Sequence, residues 1–184
     1  MGAGSGAAPA CAPPLRVAIS PAMRIRLLVT GGTFDKEYNE VDAVLAFRET
    51  HVPKMLELGR CRLDVEVQRL LLKDILDLTD DDRAGIVRAV RDCAESTIVI
   101  THGTDTMVET ARAIAAAVAG KTVVLTGAMI PFAFGSSDGL FNLGSALSFA
   151  QALPAGVYVA MNGRYFAHDN VRKNRTMGVF EAIR

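Results

Sequence analysis

Cysteine is scarce and poorly placed for a covalent framework. Cys11, Cys61 and Cys93 are widely separated, their number is odd and no CxxC occurs, which argues against a disulfide scaffold and for a reducing, cytoplasmic setting. Neither sign of charge is in excess: 20 Lys and Arg face 20 Asp and Glu. A surface that tracks phosphates shows a basic surplus, so no nucleic-acid partner is expected. No apolar run approaches membrane-spanning length, so no membrane partner is expected either. The three histidines are isolated, with no HExxH and no paired cysteines. Neither GxGxxG nor GxxxxGK[ST] is present, so no metal and no cofactor is expected.

Half of the 184 residues are hydrophobic and 22% are charged, a globular composition for one domain. Residues 1–22 are small residues and prolines without a basic start or compact apolar core. They do not read as a secretory signal and are expected to be a disordered lead before Met23.

From Ile25 onward, strand and helix signals alternate. Ile25–Thr30, Thr97–Thr101, Lys121–Thr126 and Gly156–Met161 are short apolar runs that read as buried strands, and Leu63, Val65 and Val67 alternate with acids as a half-buried one. Helices are expected near Pro53–Leu58, from the Thr79 cap through Cys93, from a Thr106/Glu109 capping box through Val118, and over Leu140–Gln151. Such alternation predicts an α/β fold over 23–184. That is a single three-layer domain with a mostly parallel, flavodoxin- or Rossmann-like sheet and no second domain. Ligands of such sheets bind beyond the carboxyl ends of the strands. The places to inspect are therefore the loops at 30–40, 71–74, 101–105, 126–139 and 161–170.

Thr30-Gly31-Gly32-Thr33 reads as a tight turn, as a phosphate cradle without its fingerprint, or as a glycine opening that lets a substrate reach the Thr33 hydroxyl. Thr104 and Asp105 lie between a strand end and a helix cap and are not explained by capping. A Thr there can relay a proton, and an Asp can bind an ammonium group. His102 is read as structural. Gly135-Ser136-Ser137-Asp138-Gly139 fits the GxSxG pattern, but no strand directly precedes it and no acid lies between Asp138 and His168. Ser137 is therefore rejected as a nucleophile, and Ser137 and Asp138 are expected to start a helix. Lys173 is either part of a solvated basic cluster or a lysine in the loop after the last strand, facing the same sheet edge as Thr33 and Thr104.

Together, TGGTF at 30–34, THGTDTMVETA at 101–111, TGAMIP at 126–131, SSDGLFNL at 136–143 and NVRKN at 170–174 resemble the bacterial-type L-asparaginase family. They occur in the family's order over nearly the whole chain after Met23. The likeness is to the N-terminal, nucleophile-bearing domain and implies a short single-domain form. By this resemblance Thr33 matches the nucleophile, Tyr38 the mobile-loop tyrosine, Thr104 and Asp105 the Thr-Asp pair, and Lys173 the lysine that completes the second triad. Gly32, Gly103 and Ala128 are taken as substrate-binding, and Lys73 and Asp74, in the loop after the second strand, are either the best local substitutes for the contacts this chain lacks or a solvated surface pair. The Ser-Gln of long members is replaced around Leu72-Lys73-Asp74, and the acid that a neighbouring C-terminal domain supplies has no counterpart.

The activity implied is hydrolysis of L-asparagine to L-aspartate and ammonia through a threonine acyl-enzyme, with Asn preferred over Gln, in a cytoplasmic homodimer or higher homo-oligomer. Either Tyr38 as phenolate or neutral Lys173 acting through Thr104 is the base, and Asp105 holds the substrate's ammonium group. The alternatives are a non-catalytic amino-acid-binding or regulatory module and, weakest, a phosphate- or nucleotide-binding module.

Overall fold

The computed structural model describes residues 23–73 and 78–184. The expected lead at 1–22 and Asp74 lie outside the described residues. In chain order the elements are β1 (Ile25–Gly31), β2 (Lys36–Asn39), β3 (Val44–Phe47), α1 (Val52–Leu58), β4 (Val65–Lys73), α2 (Asp80–Asp92), β5 (Thr97–Thr101) and α3 (Met107–Ala117), followed by β6 (Thr122–Thr126), α4 (Gly139–Ala152), β7 (Gly156–Met161), β8 (Arg164–Ala167), β9 (Arg172–Asn174) and β10 (Val179–Glu181).

The main sheet runs β4-β1-β5-β6-β7-β8. All its pairings are parallel except β7 with β8. Taken as successive parallel strands this is the 2-1-3-4-5 order, with the switch point between β1 and β5. The expected α/β fold is therefore observed. Its central strands are continuous β-branched or Leu runs: β5 (TIVIT) and β6 (TVVLT) are buried at every position, as required of strands covered on both faces.

On one face Val52 and Met55 of α1 and Leu143, Ala146, Leu147 and Ala150 of α4 pack against Leu27, Val29, Val99 and Val124. On the other, Ile86 and Val90 of α2 and Met107, Ala111 and Ile114 of α3 pack against Leu28, Ile98, Ile100 and Val123. These are the two outer layers of the three-layer domain.

Several local expectations are corrected. Residues 71–73 are not a loop: β4 continues to Lys73 because Gly31 pairs with Lys73 past an irregularity and the Gly32 N–H donates to the Lys73 carbonyl at 3.1 Å. The polar stretch after Asp35 forms the β2–β3 hairpin, with Tyr38 opposite Leu45. Residues 161–170 are not loop throughout. Asn162 and Gly163 both have positive φ (53° and 77°), and Met161 pairs with Arg164 across them, the two-residue turn that Asn-Gly favours. Lys173 lies in β9, paired with Phe180, and not in a loop.

The capping box expected at Thr106 and Glu109 does not form. Thr106 has φ −117° and ψ 14°, and its buried hydroxyl has no partner. A capping box does close α2: Asp82 N–H donates to Thr79 Oγ1 at 3.1 Å, and Thr79 N–H donates to Asp82 Oδ2 at 3.0 Å. The Lys73 ammonium and these cap bonds lower the Asp82 pKa to about 2. Helix α4 starts after Ser137 and Asp138 as expected, but Asp138 serves the loop before it, accepting from the N–H groups of Met129 and Ile130.

One buried amide ties these loops together. Asn142 is fully buried; its Nδ2 donates to the Gly127 carbonyl at 2.9 Å and to Asp138 Oδ2 at 2.8 Å, and its Oδ1 accepts from Asn162 N–H at 2.9 Å. It thus links α4 to the ends of β6 and β7. Asn142→Ala leaves the Gly127 carbonyl and the Asn162 N–H without their partner. A loss of about 3 kcal/mol is expected, measurable by urea unfolding of the variant against the parent chain.

Candidate active site

The site forms where β1 and β5 diverge. Thr30 and Thr126 lock the strand ends: the Thr30 hydroxyl donates to the Thr101 carbonyl at 2.9 Å, and the Thr126 hydroxyl donates to the Ala160 carbonyl at 2.9 Å. Beyond Thr30, Gly31 and Gly32 take φ of 87° and 79°, a region that side chains with a Cβ enter at a cost. Space imposes a second restriction. A Cβ on Gly32 would lie 2.5 Å from both Cα and N of Gly103. The backbone of the Thr33 turn therefore rests directly on the backbone of the Thr104 loop. Thr33 opens a 3-10 turn, Thr33–Asp35. Its side chain is half-buried, whereas Phe34 and Asp35 beside it are fully buried.

Across that contact the Lys173 ammonium, on β9, donates to Thr104 Oγ1 at 2.7 Å and to Asp105 Oδ1 at 3.0 Å. The Lys173 side chain is 11% exposed and that of Asp105 37%. The structure thus brings together three of the predicted residues from positions 68 and 69 apart in sequence. By occupying a lone pair of Thr104, Lys173 leaves the Thr104 hydroxyl proton directed elsewhere. Behind the pair is a cavity of about 200 Å³ lined by Glu109, Arg112 and Arg175.

His102 shapes this loop from below. It is fully buried; Nδ1 meets the Gly103 carbonyl at 2.8 Å and Nε2 meets Thr110 Oγ1 at 3.0 Å. A carbonyl only accepts, so Nδ1 carries the proton and Nε2 accepts from Thr110. The structural reading of His102 agrees with this arrangement. Gly127 lies within TGAMIP but is not among the predicted site residues. A Cβ there would meet the His102 carbonyl at 2.4 Å and the Thr104 methyl at 3.2 Å. The signal that could have found it is shared by three strands, since the β1, β5 and β6 segments each carry a Thr followed within two residues by Gly.

The other predicted residues lie differently. Gly103 and Ala128 are buried, Ala128 at 1% exposure. Tyr38 stands on β2 of the hairpin, 55% exposed. The Lys73 ammonium is held by Asp82 at 2.9 Å, outside the cluster around Lys173. Among the described residues no group of three or more His, Cys, Asp or Glu is gathered as a metal site would require. A larger apolar groove of about 420 Å³ between α1 and α4 touches none of the predicted site residues.

Residues 24–183 match the family model for asparaginase, N-terminal. The chain belongs to the asparaginase family. It is 32% identical over 171 residues to an L-asparaginase of Thermococcus kodakarensis, covering 88% of this chain and 51% of that protein. The solved structure of the thermostable L-asparaginase from that organism superposes with a TM-score of 0.78. L-asparaginase I from Vibrio cholerae superposes with a TM-score of 0.73 at 26% identity, over 88% of this chain and 52% of the other. A glutamyl-tRNA(Gln) amidotransferase subunit of Methanococcus vannielii is 33% identical over 162 residues, 82% of this chain and 37% of its relative. The chain spans about half the length, or less, of these asparaginase-family relatives.

Burial pushes the His102 pKa down to about 4 from 6.5. The folded state resists protonation, so its stability contribution is complete above the unfolded pKa and is lost as pH falls towards 4. The shift corresponds to roughly 3 kcal/mol. His102→Asn, which keeps a donor near the Nδ1 position, is expected to shrink the drop in unfolding free energy between neutral pH and the folded pKa of His102. Denaturant melts at the two pH values check this.

Proposed function

We propose that this chain hydrolyses L-asparagine to L-aspartate and ammonia, with Thr33 as nucleophile. The observation that carries the reading is the Lys173–Thr104–Asp105 hydrogen-bonded cluster, held against the Thr33 turn at the switch point of the sheet. An amide is a poor electrophile, and a covalent intermediate divides its hydrolysis into two easier steps. Thr33 Oγ attacks the side-chain carbonyl of the substrate while its proton passes through Thr104 to Lys173, which acts once it has given up a proton, the Thr104 hydroxyl then donating to Nζ in place of accepting from the ammonium. Asp105 steadies the ammonium that forms. Backbone N–H groups of the glycine loops stabilise the oxyanion, an effect worth roughly 3–4 kcal/mol per donor in measured cases. The proton then goes to the departing nitrogen, which leaves as ammonia. Water, deprotonated along the same path, cleaves the aspartyl ester and restores Thr33.

Lys173 occupies only Oδ1 of Asp105. Oδ2 is assigned to the substrate's α-ammonium group. With that end fixed, one extra methylene misplaces the reacting carbonyl, so L-asparagine is preferred over L-glutamine. A glutaminase-asparaginase of Acinetobacter glutaminasificans, 40% identical over 104 residues that cover 52% of this chain and 31% of that protein, favours a second reading in which the same chemistry is tuned to glutamine. The protein is proposed to work as a homo-oligomer in a reducing cytoplasm, where Cys61 and Cys93 stay as free thiols. Among the described residues no helix is long and apolar enough to cross a membrane.

Ammonia release from L-asparagine, with L-glutamine assayed beside it, is the test. The parent chain is expected to act on L-asparagine, and folded Thr33→Ala is expected to release none above background. Parental turnover by that variant would reject Thr33 as nucleophile, and a preference for glutamine would favour the second reading.

A further inference from the structure

The proposed chemistry makes no use of the groove between α1 and α4. Its lining belongs largely to the core: Met55, Leu143 and Leu147 are 0%, 1% and 5% exposed, and Leu56, Leu63 and Leu140 line it as well. The polar side chains along its α4 wall are turned back onto their own helix. Ser148 Oγ donates to the Gly144 carbonyl at 2.9 Å, and Gln151 Nε2 donates to the Leu147 carbonyl at 2.9 Å. Helix α4 carries no charged residue over its 14 positions, and a helix without a charged face is normally covered on all sides. Gly144 also lines the groove, in the interior of α4, where glycine costs stability relative to alanine. A Cβ there would meet nothing within 4 Å, so packing within the described residues gives no reason for a glycine.

Charge enters at one place. Arg60 and Arg62, in the connection from α1 to β4, line the same groove. Among the described residues neither guanidinium has a hydrogen bond or an ion pair. The acids nearest in sequence are held by other partners: Glu57 by Lys54 at 2.9 Å and Asp64 by Arg24 at 3.0 Å. Arg60 takes φ of 48°, a left-handed conformation usually left to glycine, although Gly59 stands beside it with φ −73°. A side chain is thus kept at 60 against a conformational cost.

The dimensions narrow the occupant. The α4 wall extends from Leu140 to Gln151, about 16 Å at the rise of a helix. Spread over that length, the 420 Å³ leaves a cross-section of about 26 Å². An α-helix, about 10 Å across, does not enter such a channel, whereas a single chain of methylenes does. The volume lies within the range of about 300–1,000 Å³ found for small-ligand pockets.

We propose that the α1–α4 groove binds an acyl carboxylate of medium chain length, its chain lying along Gly144 and its carboxylate held by Arg60 and Arg62. Each methylene taken out of water adds to binding, and guanidinium groups match a carboxylate in charge and geometry. The site does not rest on the asparaginase reading, since the groove touches none of the residues assigned to that chemistry.

The test uses the full chain with decanoate as probe, and decan-1-ol and decyltrimethylammonium as neutral and cationic comparisons, all below micelle-forming concentrations. Titration calorimetry is expected to show one saturable decanoate site, with decyltrimethylammonium bound about tenfold more weakly or less. Arg60→Gln combined with Arg62→Gln is expected to weaken decanoate about tenfold, the loss of a charged hydrogen bond, and to leave decan-1-ol unchanged. Gly144→Leu fills the groove with a better helix former. It is expected to keep or exceed the parental unfolding midpoint, to keep the parental ammonia release and to lose decanoate binding. Bound decanoate is also expected to slow alkylation of Cys61, which lines the groove, and not that of Cys93. The proposal is overturned if decanoate does not saturate, if the cationic chain binds as tightly, or if Gly144→Leu binds decanoate as the parent does. Self-association that Gly144→Leu abolishes, in a chain that takes up no decanoate, assigns the groove to a second copy and overturns it equally. If decanoate binds as expected while the parent releases no ammonia, the groove stands and the asparaginase reading fails.

Discussion

Everything at the candidate site depends on one backbone-to-backbone contact. Gly32 packs on Gly103 so closely that a Cβ would lie 2.5 Å from two of its backbone atoms. Hydrogen bonds at the strand ends prepare this contact: Thr30 reaches across to β5, and Gly32 N–H reaches back to Lys73 on β4. Because the glycines sit where the sheet changes direction, the crevice opened there places Thr33 on one lip and Thr104 on the other. Lys173 arrives from a separate hairpin near the end of the chain and closes the group through two hydrogen bonds. The arrangement of the candidate site therefore rests on sheet topology first and on side-chain rotamers second.

The support beneath that contact is polar and deeply buried. His102 fixes the Gly103 carbonyl from inside the core, and Asn142 fixes the Gly127 carbonyl. Both side chains are fully buried, and the hydrogen bonds they make are the reason such polar groups are tolerated there. Loops that would otherwise be free to move are tied to α3 and α4. Under the proposed function, loops held in this way keep Thr33, Thr104 and Lys173 in place before a substrate arrives, which is how positioning contributes to rate.

The parallel strands are legible in the sequence because strands covered on both faces must be continuous apolar runs, as Thr97–Thr101 and Thr122–Thr126 are. The end of β4 is not, since Leu71-Leu72-Lys73 carries no alternation and is strand only because Gly31 and Gly32 pair with it. The β2–β3 hairpin escapes for a related reason: Lys36-Glu37-Tyr38-Asn39 has no buried face to impose a period of two. The turn at Asn162-Gly163, by contrast, carries a readable dipeptide signal that the loop assignment at 161–170 overlooks. Within the candidate site, Thr33, Thr104, Asp105 and Lys173 are named by motifs. That three of them meet is a tertiary fact that no local pattern contains.

The most direct measurement is L-asparagine turnover by Gly32→Ala, in protein whose cooperative unfolding shows that the domain is intact. The added methyl must push the Thr33 turn off the Thr104 loop, and a displacement on the order of 1 Å can cost about 100-fold in rate. The account predicts a loss of at least that size with Thr33, Thr104, Asp105 and Lys173 all present. A folded Gly32→Ala chain that turns over L-asparagine at the parental rate would contradict it.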